Sequence, residues 1–372
     1  MKQGPPQALR FLDEALAEAE RGSLLRRRPP PSTGDELTFC SNDYLGLAHR
    51  APPSRPSGAG ASRLVAGERA DHVELERASA GLVGLPAALV FTSGYAANVG
   101  LLSALAGPED LIVSDALNHA SIVDGARLAR ARVAVVPHLD LAAFDRALSE
   151  QRRRRAFAVT ESYFSMDADS PDLRELRRLC DAHGAALIVD ESHALGVLGP
   201  DGRGLCAAVG VEPDALVGTF GKAFGAGGAF VAGCPSLVTW LWNRARSFVF
   251  STGLSPAVAA AASAGLRASA AEPHRRERAM AAARQLREGL LGLGVRALGY
   301  GHIVPWVVGE PSAALQTSEA LRAAGIDVRA IRPPSVPPGT ARLRFAVTAS
   351  HQGTDIERAV DAVSRVLGRR TE

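Results

Sequence analysis

Short apolar runs alternate with stretches of helical periodicity over most of this 372-residue chain. Seven runs read as strands: 88–91, 110–113, 133–136, 157–160, 186–189, 215–218 and 228–231. Each is short, rich in β-branched or other apolar residues, and bounded by polar residues, glycine or proline. Helical patterns fall between them, as at 95–105 and 172–183. Strands alternating with helices predict an α/β fold, a mainly parallel sheet covered on both faces. Only a short glycine-rich stretch separates the last two runs, which allows those two to pair antiparallel.

The ends of the chain read differently. Residues 11–25 form an amphipathic helical pattern, followed by Arg26, Arg27 and Arg28 and then three prolines, 29–31. Consecutive prolines cannot continue a helix, so an extended arm is expected there. After Pro273 a basic helix (275–291), a strand (304–308), a helix (315–324), a strand (342–347) and a last helix from Thr354 predict a smaller α+β lobe. The expected division is an N-terminal helix and arm (1–44), a large domain (45–268) and a small C-terminal domain (269–372). The arginine run 152–155 reads as a solvated loop.

Composition narrows the function. Hydrophobic residues make up 47% and charged residues 22%, ordinary for a globular protein and foreign to a disordered chain, a collagen or a coiled coil. The net charge of +3 gives no reason to expect a nucleic-acid partner. Cys40, Cys180, Cys206 and Cys234 are far apart, which fits free thiols in a reducing cytoplasm better than a metal site. The acidic N-terminal helix does not read as a signal peptide, and the alanine-rich stretch 257–271 is too short to cross a bilayer.

Two phosphate motifs fail on inspection. Gly221-Lys222 lacks both the upstream glycine and the following Ser/Thr of a P-loop. Gly292-x-Gly294-x-x-Ala297 follows a helix, where a dinucleotide fingerprint follows a strand.

Four segments remain, each at the end of an expected strand, where α/β sheets place ligands. Thr92 to Asn98 opens a helix with small residues, which suits an anion and equally suits an ordinary N-cap. Asn118-His119-Ala120-Ser121 offers an imidazole that could as well be structural. Asp190-Glu191-Ser192-His193 places a carboxylate at the end of a buried strand, where it needs a partner; the spacing is poor for a metal. Gly218 to Gly225 frames Lys222. Only two of the 42 basic residues are lysine, and the other is Lys2. A chain that otherwise uses arginine has kept one internal amine, and lysine can form a Schiff base where arginine cannot. A lysine, an Asp for a pyridine nitrogen and an anion site together fit pyridoxal 5'-phosphate.

With these residues in view, the chain resembles the α-oxoamine synthase family of fold-type-I pyridoxal-phosphate enzymes. The resemblance runs from Phe39 to His351. It rests on Ser41-Asn42-Asp43-Tyr44-Leu45-Gly46-Leu47, on Gly60-Ala61-Ser62-Arg63-Leu64-Val65-Ala66-Gly67, on Phe164-Ser165-Met166-Asp167 and on Gly218-Thr219-Phe220-Gly221-Lys222. It implies a seven-stranded, mainly parallel sheet in the large domain and a homodimer with shared sites. Lys222 would carry the cofactor and then remove the Cα proton. Asp190 would pair with the pyridinium, His119 would stack on the ring, and His193 and Ser165 would lie near its phenolic oxygen. Ser93, Gly94, Tyr95 and Thr219 would hold the phosphate, with Thr252 reaching it from the partner chain. Arg344, Asn42 and Arg26 would bind the amino-acid carboxylate.

The string from Ile331 to Arg344 resembles the branch of the family that condenses L-alanine with a pimeloyl thioester, on coenzyme A or acyl carrier protein, to make 8-amino-7-oxononanoate for biotin. Three departures stand out. Ser192 replaces the usual Ala, Ala168 replaces a usual Gly, and residues 49–57 form a short Pro/Ser/Arg linker where the family has a longer helical segment. The alternatives are a synthase using another acyl donor or amino acid, and a non-catalytic pyridoxal-phosphate-binding regulator. Within the strand 342–347, Arg342 is expected on the face opposite Arg344 and toward solvent.

Overall fold

The seven apolar runs all form strands, each within two residues of the expected bounds, because each is bounded by residues that cap, turn or break. The computed structural model describes residues 11–27, 36–50, 53–149 and 153–368; Arg28, the three prolines and Arg152 lie outside them. The elements begin with α1 (Phe11–Arg21), β1 (Leu37–Thr38), α2 (Ala70–Val83), β2 (Ala87–Phe91), α3 (Gly94–Leu105), β3 (Leu111–Asp115), α4 (Ala120–Leu128), β4 (Arg132–Val136) and α5 (Leu141–Leu148). They continue with β5 (Ala156–Glu161), α6 (Leu173–His183), β6 (Ala186–Asp190), α7 (Gly204–Val209), β7 (Ala215–Thr219), β8 (Ala229–Gly233), α8 (Pro235–Arg244), α9 (Arg246–Val249) and α10 (Pro256–Ala271). The last are α11 (His274–Gly292), β9 (Ile303–Gly309), α12 (Pro311–Ala323), β10 (Ile326–Asp327), β11 (Arg329–Ile331), β12 (Ala341–Ala346) and α13 (Gly353–Gly368).

The described residues form two compact units, those within 42–280 with 348–350, and those up to 41 with 281–347 and those from 351 on. In the first, seven strands lie in the order β2-β8-β7-β6-β5-β3-β4. Strands β3 to β7 run parallel, and β8 is antiparallel to both β7 and β2. The β7–β8 pair is therefore antiparallel, as its short glycine-rich connection allows. Consecutive residues of one strand feed two cores: Ile112 packs with Phe91, Leu101 and Val159, while Leu111 and Val113 pack with Phe144, Leu176 and Leu187. Burial on both faces explains why these strands read as continuous apolar runs.

Helix ends follow local chemistry. Asp172 caps α6 by accepting the N–H groups of Arg174 and Glu175, each at 3.0 Å, and Gly184 closes that helix at φ 61°. Helix α12 starts four residues before the expected 315, with Glu310 at its N-cap and Pro311 at its first position. Five described residues with side chains, Ser23, Arg130, Leu139, Ala168 and Asp201, have the positive φ that favours glycine. Ala168 has φ 56° in a buried turn, the physical reason the family pattern has glycine there. Arg130, exposed just past α4, has φ 57°. For Arg130→Gly we expect a gain of roughly 0.5–1 kcal/mol, because relief of left-handed strain outweighs the added entropy of the unfolded chain. Urea denaturation measures this, and a lowered midpoint at unchanged m-value would contradict it.

In the second unit β12 is the middle strand of the antiparallel sheet β11-β12-β9, and β1 pairs with β10 in parallel. The N-terminal segment is held within this unit. Phe39 is fully buried in its core and stacks on His351 at 4.3 Å between ring centroids. The compaction thus falls at 41/42 and 280/281, whereas the sequence reading divides the chain at 44/45 and 268/269. Arg342 does not face solvent as expected: it is 3% exposed and Arg344 7% exposed. Nor do the two lie on opposite faces as expected: residues two apart on a strand point the same way, and Arg342 and Arg344 pair with Val307 and Pro305, themselves two apart. A central strand covered on both faces leaves neither arginine a solvent side.

Candidate active site

Six strands of the large sheet, all but β8, point their carboxyl ends the same way, and five of them deliver candidate residues to that edge. Strand β2 leads through Ser93 into α3. The Ser93 side chain accepts the Ala96 N–H at 3.1 Å. The N–H groups of Gly94 and Tyr95 begin the helix and have no acceptor within it. Strand β3 ends at Asp115, whose carboxylate accepts the N–H of Leu117 and so turns the chain toward His119. Strands β5, β6 and β7 end at Glu161, Asp190 and Thr219.

Lys222 sits on the β7–β8 connection. The turn closes through the Phe220 N–H to the Gly228 carbonyl at 2.9 Å and the Gly225 N–H to the Lys222 carbonyl at 3.0 Å. Gly225 has φ 63°, and a Cβ there would lie 2.4 Å from the Leu47 carbonyl carbon. The turn therefore needs glycine at this position.

Gly94, Tyr95, Asn98, His119, Ser121, Glu161, Asp190, Ser192, His193, Thr219 and Lys222 line one cavity of about 180 Å³. Two hydrogen-bond networks fix its polar groups. In the first, the Asn98 side-chain amide donates to Asp190 Oδ2 at 2.7 Å and to Ser121 Oγ at 3.0 Å. Ser121 Oγ then contacts His119 Nδ1 at 2.8 Å, and the Ser121 N–H donates to the same nitrogen at 3.2 Å. With Nδ1 accepting, the proton of the neutral imidazole belongs on Nε2. Burial holds the His119 pKa below its ordinary value against the opposing pull of Asp190, with the Lys222 charge acting in the same direction as burial, so the neutral ring prevails at pH 7. The Ser192 N–H donates to Asp190 Oδ1 at 2.8 Å.

In the second network the Tyr44 hydroxyl donates to Asn42 Oδ1 at 3.0 Å and lies 2.8 Å from His193 Nδ1. A hydroxyl with its one proton given to Asn42 can only accept from the imidazole, so His193 carries its proton on Nδ1. Asn42 thus reaches the cavity through Tyr44. Glu161 accepts the His119 N–H at 2.7 Å, and burial, with the nearby Asp190, pushes its carboxyl up to about 8. Thr219 Oγ1 donates to the Gly228 carbonyl at 3.0 Å and accepts the Gly221 N–H at 3.2 Å.

Seven of the residues singled out in the sequence meet in this cavity: Gly94, Tyr95, His119, Asp190, His193, Thr219 and Lys222. Ser93 caps α3 at its rim. Ser165 is buried in the loop after β5, outside the cavity lining. That loop is tied down at Asp169 by His138, which bridges Asp169 and Asp115; the two carboxylates push the imidazole up to about 10 against the opposing effect of burial. Thr252 lines a separate crevice with Arg63 and Thr92. Arg26 and Arg344 belong to the other unit, where Arg26 donates to Ser335 Oγ at 3.3 Å and Arg344 lies across from Arg329 and Pro305.

Sequence reasoning quoted Asn98, Ser121 and Tyr44 within motifs without giving them a role, and it missed Glu161. Asn98 carried a legible signal as a polar residue amid the apolar residues of α3. Glu161 carried one too, as a charged residue ending an apolar strand. Each buries a polar group that must have a partner. The donor set fits pyridoxal phosphate. Lys222 supplies an amine, Asp190 a carboxylate pinned by Asn98 and Ser192, His119 a flat neutral ring, and α3 an N-terminal pair of N–H groups.

Known proteins resemble this chain over most of its length. The aminotransferase class I and II family matches residues 34–363. An 8-amino-7-oxononanoate synthase of Anaeromyxobacter dehalogenans is 47% identical over 89% of this chain and 86% of its own. One from Alkalilimnicola ehrlichii is 44% identical over 96% and 98%. Among solved structures, the Sphingomonas wittichii serine palmitoyltransferase superposes with a TM-score of 0.91 at 28% identity, covering 98% of this chain and 99% of that one. The Francisella tularensis 8-amino-7-oxononanoate synthase shares the fold with a TM-score of 0.77 at 24% identity, over 91% of this chain and 99% of its own. A cavity that gathers Lys222, Asp190 and His119 at the strand ends, on a chain matched over nearly its whole length, places this protein in the aminotransferase class I and II family, as a fold-type-I transferase related to the 8-amino-7-oxononanoate synthases.

Proposed function

We propose that this chain is a pyridoxal-phosphate-dependent C-acyltransferase that condenses L-alanine with a pimeloyl thioester, releasing CO2 and the thiol carrier and giving 8-amino-7-oxononanoate for biotin synthesis. The observation that carries this reading is the 42–47% identity, over 88–96% of the chain, to relatives that bear that activity in their names. The cavity supplies the groups the reaction requires. When bound, the cofactor provides an electron sink for charge developing at the alanine Cα. Asp190, held by two donors, fixes a carboxyl group at one end of the cavity. His119 presents a neutral face, and Lys222 offers an amine that can hold the cofactor and move the Cα proton. Arg344, Asn42 and Arg26 are the proposed carboxylate ligands. A bidentate guanidinium clamp would fix which Cα bond faces the sink.

Mass spectrometry of the product formed from alanine and pimeloyl-CoA tests this reading. A competing acyl donor is kept in view by the short 49–57 linker, whose residues 51 and 52 lie outside the described residues. Thioesters of several chain lengths belong in the same assay. Preference for a long-chain donor, or no amino ketone at all, would overturn the assignment.

The active form is proposed to be a cytoplasmic homodimer in which Thr252 of one chain meets the cofactor phosphate of the other. Thr252 is exposed and lines a crevice apart from the Lys222 cavity, which suits a residue acting on a partner's site. Mixing inactive Lys222→Ala chains with inactive Thr252 variants should restore about a quarter of wild-type activity. Half of randomly formed dimers are mixed, and each holds one intact site. An active monomer in sedimentation would refute the shared site.

A further inference from the structure

Arg63 lies outside the cavity that holds Lys222, yet it is among the most heavily engaged side chains of the large unit. Its residue exposure is 4%. Nε and Nη2 donate to the two carboxylate oxygens of Glu68 at 2.6 and 2.9 Å, and Nη1 donates to Glu76 at 2.5 Å. Its guanidinium lies 5.1 Å from the Trp242 ring centroid and 5.4 Å from that of Phe248. One cation thus answers two carboxylates and packs against two rings, a use that suits the planar arginine fork and not lysine.

The partners of Arg63 connect it to two segments proposed to hold phosphate, one serving its own chain's cofactor and one the partner's. Glu76 Oε1 also accepts the Val90 N–H of β2 at 2.9 Å, two residues before Thr92 and the turn into Gly94 and Tyr95. On the other side, the loop carrying Arg63 is bonded to the segment carrying Thr252. The Gly253 N–H donates to the Ala61 carbonyl at 2.9 Å, and Ser62 Oγ donates to the Val249 carbonyl at 2.9 Å. Arg63, Thr92 and Thr252 line the same crevice. The cluster also has an electrostatic consequence: Glu68 and Glu76 carry two negative charges, and Arg63 is the cation bonded to both.

We propose that Arg63 is a positioning residue for the cofactor phosphates: it ties the β2–α3 turn, which serves the phosphate of its own chain, to the Thr252 segment, which serves that of the partner, and it neutralises two carboxylates that would otherwise repel a phosphate dianion. This rests on the functional reading above, including the phosphate roles of Gly94, Tyr95 and Thr252. A residue that merely fills the core would change stability alone, whereas Arg63 must change anion affinity.

The test is pyridoxal-phosphate affinity, measured by equilibrium dialysis of the enzyme with absorbance detection, beside kcat at saturating cofactor. Arg63→Met should weaken cofactor affinity by about tenfold or more while leaving saturated kcat within about twofold. Adding Glu76→Gln, which retains an acceptor for Val90, should recover most of that loss, and Arg63→Lys should recover only part. Unchanged affinity in a folded Arg63→Met protein overturns the proposal, as does failure of Glu76→Gln to restore any of the loss. If Arg63→Met does not fold, Glu76→Gln alone decides, since removing the excess negative charge should tighten cofactor binding and unchanged or weaker binding overturns the proposal. A wild-type protein that binds no pyridoxal phosphate would refute the functional reading instead.

Discussion

Replacing Lys222 with alanine removes the condensation activity, lowering turnover by at least about 10³-fold, because both cofactor attachment and proton transfer at Cα are assigned to one amine. The cavity stays intact in this variant. The Asn98–Asp190 and Ser121–His119 contacts do not depend on Lys222, so pyridoxal phosphate and alanine still bind. The wild-type protein should be yellow, and borohydride should fix the cofactor to the peptide containing Lys222. In the variant, borohydride should leave the protein unlabelled, and labelled CO2 from carboxyl-labelled alanine should fall to background. Turnover near wild type would show that the amine is structural and that the reaction runs elsewhere.

The second large effect is expected at Arg344. Arg344→Ala should raise the KM for alanine and lower kcat, a loss of about 2–5 kcal/mol in transition-state binding, as for other truncated charge-assisted pairs. The neighbouring Arg342→Ala provides the contrast. Arg342 is buried, and its Nε donates to the Thr340 carbonyl at 3.1 Å, so its loss should act on stability. Steady-state kinetics and denaturation on the two variants separate these effects. A KM change in Arg342→Ala with normal kinetics in Arg344→Ala would exchange their roles.

The two arginines illustrate what strand alternation can and cannot say. Alternation puts Arg342 and Arg344, two residues apart, on one face, and the register agrees, since Arg342 lies across from Val307 and Arg344 from Pro305. It could not say that both faces are covered, because coverage depends on elements distant in sequence. Lys222 was legible for the opposite reason. Its glycine frame and its isolation in an arginine-rich chain are local facts, and the turn needs Gly225 for a local reason, the nearby backbone of Leu47.

The sequence by itself determined the seven strands, the helices between them and the strand-end positions of His119, Asp190 and Lys222, because hydrophobic period, capping residues and turn glycines act over a few residues. Only the tertiary structure decided which polar groups complete the site. Asn98 on α3, Glu161 on β5 and Tyr44 near the chain's start reach Asp190, His119 and His193 across separations of 42 to 149 residues. Such contacts arise where strand order brings distant segments together, and the order β8-β7-β6-β5-β3 is not written in any one of them. The same holds for the Asn98 and Ser121 contacts that place the His119 proton and for the Tyr44 contact that places the His193 proton. A histidine's tautomer is set by the donors and acceptors that the fold places beside it, and no local pattern in the chain encodes those.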